Sequence, residues 1–485
     1  MNQYKVLIIG SGFGGLCSAI RLIKANINDF LILERRPFMG GTWSQNTYPG
    51  AAVDVQSPLY SISSEPYDWS QMFATQEELK TYTSYVIDKN KLREKCMVNS
   101  NVNQIKWSAD SANWLVTLTD GTVLRSQFVI NASGPLSTPT IPNFKGQDKF
   151  SGASFHTNDW QHDFDYTDKN VAIIGSGASA AQVIPAIADK VKQLHVFQRT
   201  PHWVIHRPDR KFTPWQRKLL KYPFIQKTLR TLIYWALEYR VLGFKYSKTL
   251  LDLIAGSEAK RYIKQQVKDK SLQQKLTPDF TIGCKRVILS NTYYPALCRE
   301  NVFLHDKSDG ITQLNQTGIH TTKGEQIDLD LIVYATGYDA TDGVISYPVI
   351  GKNNKVLQEY WHPFPRAYLG TSIPNFPNLF IVTGPNTGIG HTSAIFIIES
   401  QINYIINALQ QVNELDKQVV EVTEIAEQNY TDLIHQEMEK TVWKTGGCSS
   451  WYQSKSGHVI AMFPGFSFTY KRWAKKLKIN DHLFY

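Results

Sequence analysis

The chain has 485 residues, 52 Lys and Arg against 42 Asp and Glu, 42% hydrophobic and 12% aromatic. At roughly 100–200 residues per domain that is two or three domains, large enough to bury cores without metal or disulfide staples and too aromatic for disorder. No run of about 18 apolar residues occurs. The five cysteines, Cys17, Cys96, Cys284, Cys298 and Cys448, are odd in number and form no CxxC, which argues against a disulfide scaffold, a zinc site or any other metal centre and a dithiol reductase, and suits a reducing compartment.

The first element is a strand at Tyr4–Ile9. A cleavable presequence would have to be cut out of it, so the expected location is cytoplasmic. The strand runs into Gly10-Ser11-Gly12-Phe13-Gly14-Gly15, a GxGxxG loop, followed by a helical pattern and a second strand, Phe30–Leu33, that ends at Glu34. In such a unit Gly10 permits the tight turn, Gly12 lets the backbone approach a pyrophosphate and Gly15 lets helix and strand pack closely. The helix N-terminus faces the phosphates, and Glu34 is placed to accept from a ribose.

The pattern repeats. Val171–Ile174 leads into Gly175-Ser176-Gly177-Ala178-Ser179-Ala180, a helix, and the strand Leu194–Phe197 before Gln198, Arg199 and Thr200. Glu34 and Arg199 each stand 24 residues after the first glycine of their loop. An acid there suits a free ribose 2′-hydroxyl; an arginine suits a 2′-phosphate, or is an ordinary surface arginine. Two dinucleotide folds in one chain suggest a relay in which bound FAD accepts hydride from diffusible NADPH. Placing FAD at the N-terminal fold is an analogy with other such enzymes.

Between Arg210 and Lys270 there are fifteen Lys and Arg against four Asp and Glu, so the net positive charge resides there. Aromatic and aliphatic residues alternate with the cations at roughly helical spacing. This segment reads as a helical insertion with a solvated basic face, or as a helix on an anionic membrane surface. No nucleic-acid module accompanies it. Further along, Phe128–Gly134 and Leu331–Gly337 each read as a buried strand closing a sheet. Asn378–Asn386 reads as a third strand-to-glycine unit before a helix from about Ser393, whose N-terminus could bear on the flavin. The expected architecture is α/β, with two Rossmann-like dinucleotide-binding domains. Residues 1–144 and 340–485 form the FAD domain, and 145–339 the NADP domain with a helical insertion at about 208–280.

Three further motifs carry a family resemblance. Phe150-Ser-Gly152-Ala-Ser-Phe-His156-Thr-Asn-Asp-Trp160 resembles the FxGxxxHxxxW fingerprint of type I Baeyer–Villiger monooxygenases, departing from it at Gln161, where Pro or Asp is usual. Gly40-Gly41-Thr-Trp43 through Tyr48-Pro49-Gly50 to Asp54 is similar to that family's GGxWxxxxYPGxxxD. Gly283-Cys284-Lys285-Arg286 matches the region of its active-site arginine. The likeness runs in consistent order from about Lys5 to Lys471, with 210–280 as a variable insertion. Trp160 favours this family over N- and S-oxidising relatives, which usually carry Tyr or Phe there, and Gln161 weakens that preference.

The resemblance implies that NADPH reduces FAD, that O2 adds to give a C4a-peroxyflavin, and that this anion attacks a ketone, expected to be apolar, to yield an ester or lactone. A permanent cation must hold the anion, and Arg286 is implied in that role, with Asp54 as its orienting partner. Arg286 and Asp54 are also expected to reach the nicotinamide. Phe13, Gly41, Trp43, Tyr60 and Val102 are implied as FAD contacts beside the first loop. Lys285 and Thr200 would join Arg199 at the 2′-phosphate, and Trp451 would meet the nicotinamide ribose. Read alone, Asp54 is equally a turn cap after Pro49-Gly50, Arg286 a buried structural arginine, Lys285 a surface lysine, Trp451 a core residue and His156 a satisfied core histidine. Oxygenation of sulfur or nitrogen, or flavoprotein reduction without an oxygenated product, are the competing activities.

Overall fold

The computed structural model describes residues 2–340 and 344–485. Val6, Leu7, Ile8 and Ile9 are all buried, as a continuous apolar run is when a strand is covered on both faces. This strand, Gln3–Ile9, is an interior strand of the larger sheet. Phe30–Leu33 and Cys96–Met97 follow on one side. On the other stand Val123–Asn131, Asn113–Leu118, Val102–Ser108 and Val349–Ile350, with Leu379–Ile381 also paired to Val123–Asn131. Ile9 is in register with both Leu33 and Asn131. Three parallel strands therefore end together, and Gly10 N–H donates to the Leu33 carbonyl at 2.8 Å. That shared edge is the crevice in which open α/β sheets bind ligands.

The second sheet repeats the arrangement. Its strands, in order, are Val302–His305, Gln193–Phe197, Asn170–Ile174, Leu331–Tyr334 and Ala153–His156, all parallel. Ile174 is in register with Phe197 and Tyr334, and Gly175 N–H donates to the Phe197 carbonyl at 3.0 Å. The strands of this sheet come from 153–334, those of the first from 3–131 and 349–381. The helix foreseen after Ser393 runs Ala394–Glu414, and its N-cap Ser393 accepts from Ile395 N–H.

Between Gln193–Phe197 and Val302–His305 lies the helical insertion: Pro214–Leu220, Pro223–Glu238, Ser257–Gln266 and Lys270–Leu276, with π-helical turns at Leu242–Tyr246 and Asp252–Gly256. A Thr213/Gln216 capping box and Pro214 open its first helix. The end of Pro223–Glu238 is fastened to the lobe of the larger sheet by a buried carboxylate. Glu238 accepts from Ser467 N–H at 2.5 Å and Ser467 Oγ at 2.7 Å, and His391 Nε2 lies 3.2 Å away. Burial pushes the Glu238 pKa up, but the His391 contact and the Ser467 donors hold it below the ordinary value.

A Cβ at Gly15 would strike the Gly10 carbonyl oxygen. Neither backbone can move without disturbing the turn. Gly15→Ala is expected to cost about 1–3 kcal/mol, read as a lowered midpoint of thermal unfolding; an unchanged midpoint would remove the close-packing argument.

Candidate active site

The two glycine loops present bare helix ends. The helices Phe13–Lys24 and Ala178–Ile187 have Gly12 and Gly177 as N-caps, with no side-chain cap and no acid in the first turn. Their first N–H groups therefore point outward without intrahelical partners, which suits an anion such as a pyrophosphate. Gly10 and Gly175 have φ of 101° and 129°, and a Cβ on either would meet the carbonyl oxygen of Ala132 or Ala335. Around Gly177 the space is open. Glu34 is buried, with Oε2 accepting from Ser11 N–H at 3.0 Å and Ser11 Oγ at 2.6 Å. It thus holds the first loop from within. These donor-rich cradles, with no acid in the first turn of either helix, fit two dinucleotides.

The segment 40–54 bridges the two cradles. Gly41, at φ 59°, lies so near the first loop that a Cβ there would reach Gly12 Cα at 2.6 Å. Trp43 Nε1 donates to Tyr60 Oη at 3.2 Å, and Phe13 packs edge-on against Tyr60. Five residues after Trp43, Tyr48 Oη donates to Gln182 Oε1 at 2.9 Å, and Gln182 Nε2 donates to the Ala52 carbonyl at 2.9 Å. Gln182 belongs to the second cradle's helix. Gly50, at φ 80°, lies against that helix, where a Cβ would meet the Gln182 carbonyl.

The bridge ends at Asp54, whose two oxygens take Arg286 Nε at 2.5 Å and Nη2 at 2.6 Å. The side chains are 29% and 37% exposed, so the pair is sheltered yet reachable. Burial pushes the Asp54 carboxyl up, but the Arg286 charge and its hydrogen bonds outweigh that and hold it below its ordinary value. Asp54 in turn holds the Arg286 pKa above its ordinary value. Tyr60 and Tyr452 flank the pair, both raised to about 12 by burial, so both stay neutral across physiological pH.

Lys285 Nζ lies over the Phe280 ring, 5.1 Å from its centroid, close enough to Arg199 to feel its charge. Its pKa is lowered by burial first and then by the Arg199 charge. Arg199 lines a cavity of about 510 Å³ together with Lys275, Lys307 and Ser308. The Thr200 carbonyl accepts from Ser176 Oγ at 2.7 Å, tying the strand end to the second glycine loop, whose helix starts at Ala178-Ser179-Ala180. Val102 belongs to the same buried core cluster as Leu33 and stands two residues after Ser100, whose N–H donates to the Glu34 carbonyl. Trp451 is 45% exposed and packs edge-on against Tyr452 at 4.5 Å. The fingerprint lies beside the bridge. Asn158 N–H donates to His156 Nδ1, Gln45 Nε2 donates to the Asn158 carbonyl, and Asn158 and Asn46 meet at the Tyr338 hydroxyl.

Sequence reasoning missed Tyr452, Gln182 and Arg207, a half-buried guanidinium whose pKa burial lowers against the opposing charges of Asp209 and Asp54. Only the adjacency of Tyr452 to Trp451 hinted at any of them. It also misjudged the cysteines. Cys284 and Cys448, 164 residues apart, form a disulfide. The pairing was hidden because it depends on two loops meeting in space, where Thr281 N–H donates to the Gly446 carbonyl at 3.0 Å. It joins the loop of Arg286 to the loop of Tyr452.

Residues 7–234 match the family described as pyridine nucleotide-disulphide oxidoreductase. A Baeyer–Villiger monooxygenase of Pseudomonas aeruginosa is 39% identical over 481 residues, 99% of this chain and 91% of that protein. One from Streptomyces coelicolor is 39% identical over 484 residues, 99% and 92%. Among solved structures, the cyclohexanone monooxygenase of Rhodococcus sp. Phi1 bound to NADP+ superimposes with a TM-score of 0.91 at 26% identity, covering 100% and 99% of the two chains. An oxidized steroid monooxygenase bound to NADP gives 0.89 at 28%, with the same coverage.

The depressed Asp54 pKa has a defined sign. Its contribution to stability is full above the unfolded value, near 3.8, and is lost as pH falls through the lower native value. Thermal midpoints measured from about pH 6 to about pH 3 are expected to fall more steeply for the wild type than for Asp54→Asn. Parallel curves would refute the ion-pair linkage.

Proposed function

Because the chain belongs to the Baeyer–Villiger monooxygenases, we propose that its Asp54–Arg286 pair is the charge that lets a flavin oxygenate a ketone. The enzyme is an FAD- and NADP-dependent monooxygenase. When bound and reduced by NADPH, FAD would supply the dioxygen chemistry for insertion beside the carbonyl. FAD takes the first cradle, at Gly10, Gly12, Phe13, Gly15, Glu34, Gly41, Trp43, Tyr60 and Val102. NADPH takes the second, at Gly175, Gly177, Ala178, Ser179, Ala180, Arg199, Thr200 and Lys285, with Trp451 at its ribose. The division into 1–144, 145–339 and 340–485 follows these two cradles.

Arg286 does the electrostatic work. A guanidinium cannot lose its proton near neutrality, so it holds an oxyanion beside it without donating a proton to it. Asp54 occupies Nε and Nη2, and Nη1, which it does not take, would be the group offered to an oxyanion when flavin and substrate are bound. This bidentate pair, at the end of a segment anchored to both cradles, is the observation that carries the reading. The proposed place of work is the cytoplasm, at the inner face of the membrane. Among the described residues no helix is long and apolar enough to cross one.

The deciding experiment is gas chromatography of products from a ketone panel with NADPH and O2. Esters or lactones are expected; sulfoxides or N-oxides alone, or hydrogen peroxide alone, would refute the ketone reading. Arg286→Ala is expected to cut ester formation at least about 100-fold while NADPH still bleaches the flavin, and retained ester production would remove the assignment. Arg199→Ala is expected to raise KM for NADPH by about 10- to 150-fold, as loss of a charged hydrogen bond implies. Equal changes for NADH would remove the 2′-phosphate role.

A further inference from the structure

The helix Pro223–Glu238 is apolar on two opposite faces. Ile233, Tyr234 and Leu237 are buried against the FAD-side lobe. On the other side Phe224, Leu232, Trp235 and Tyr239 fall within about 80° of helical arc and are 78%, 64%, 54% and 63% exposed. The stripe continues across the chain: the Trp235 ring lies 6.0 Å from that of Phe468, itself exposed, on the helix Ser467–Trp473. That helix and the turn after it bring exposed Lys471, Arg472, Lys475 and Lys476. The insertion brings exposed Lys218, Lys221, Lys227 and Arg240. Two basic segments more than 200 residues apart therefore share one aromatic face.

We propose that this face docks on a lipid bilayer bearing anionic headgroups, with Phe224 and Trp235 entering the headgroup layer and the surrounding cations meeting lipid phosphates. This deepens the peripheral placement given above by naming the surface and its partner. Exposed apolar stripes flanked by Lys and Arg bind in this way, by apolar burial added to attraction for anionic lipid, and aromatic rings favour that interface. A contiguous apolar patch of this kind is unusual on a monomer without a partner. A second copy fits poorly, since a two-fold contact through this face would set cations against cations. A bilayer also stores the apolar ketones the enzyme is proposed to oxidise.

The test is flotation of the holoenzyme with vesicles of phosphatidylcholine alone and with about one third phosphatidylglycerol. Binding is expected to be at least about tenfold tighter to the anionic vesicles at low salt, and to weaken as salt rises. Phe224→Glu/Trp235→Glu is expected to abolish it, while Ile425→Glu, at an exposed apolar position on the separate helix Glu424–Met438, keeps it. Both variants are expected to oxidise a short, water-soluble ketone at the wild-type rate. No binding to anionic vesicles, or equal binding by the double variant, would overturn the proposal. So would a concentration-dependent dimer that the double variant abolishes. Vesicle binding without ester formation would strike the ketone reading alone and leave the docking surface standing.

Discussion

A guanidinium and a carboxylate, 232 positions apart in the chain, meet through two short hydrogen bonds, and the site takes its shape from that meeting. Sheltering either charge alone is costly, and removing one partner strands the other. Mutual neutralisation is what permits a permanent cation in a half-dry cleft. The geometry is inherited from the bridge. Gly41 lies against one glycine loop and Gly50 against the helix of the other, so Asp54 is held between the cradles by backbone contacts that tolerate no side chain.

The cradles themselves were legible. Each is a local unit of strand, glycine turn, helix and strand, and its signals lie within about thirty residues. The acid at 34 and the arginine at 199 could be read by counting. Asp54 and Arg286 could not: nothing in their spacing joins them, and only likeness to a family's motifs brought them together. Tyr452 and Gln182 were invisible because each acts only through tertiary contacts. The Cys284–Cys448 bond was missed for the same reason, since an odd cysteine count without CxxC says nothing about which loops touch.

The insertion shows a different limit. Its mixture of aromatics and cations was plain, but a helix with apolar residues on two opposite faces defeats a search for one apolar stripe. The inner face is accounted for by packing and by Glu238, whose carboxylate collects Ser467 and lies against His391. That latch fixes the helix to a lobe formed by distant stretches of chain. It thereby sets which face looks outward and brings Trp235 beside Phe468.

The Tyr48–Gln182 and Gln182–Ala52 contacts bear on recombination between relatives. A chimera that joins the first 144 residues of one protein to the middle third of another would preserve each lobe's interior, yet would splice the bridge to a foreign docking partner. Such hybrids should inherit function only when Tyr48 with Gln182, and Asp54 with Arg286, travel as matched sets.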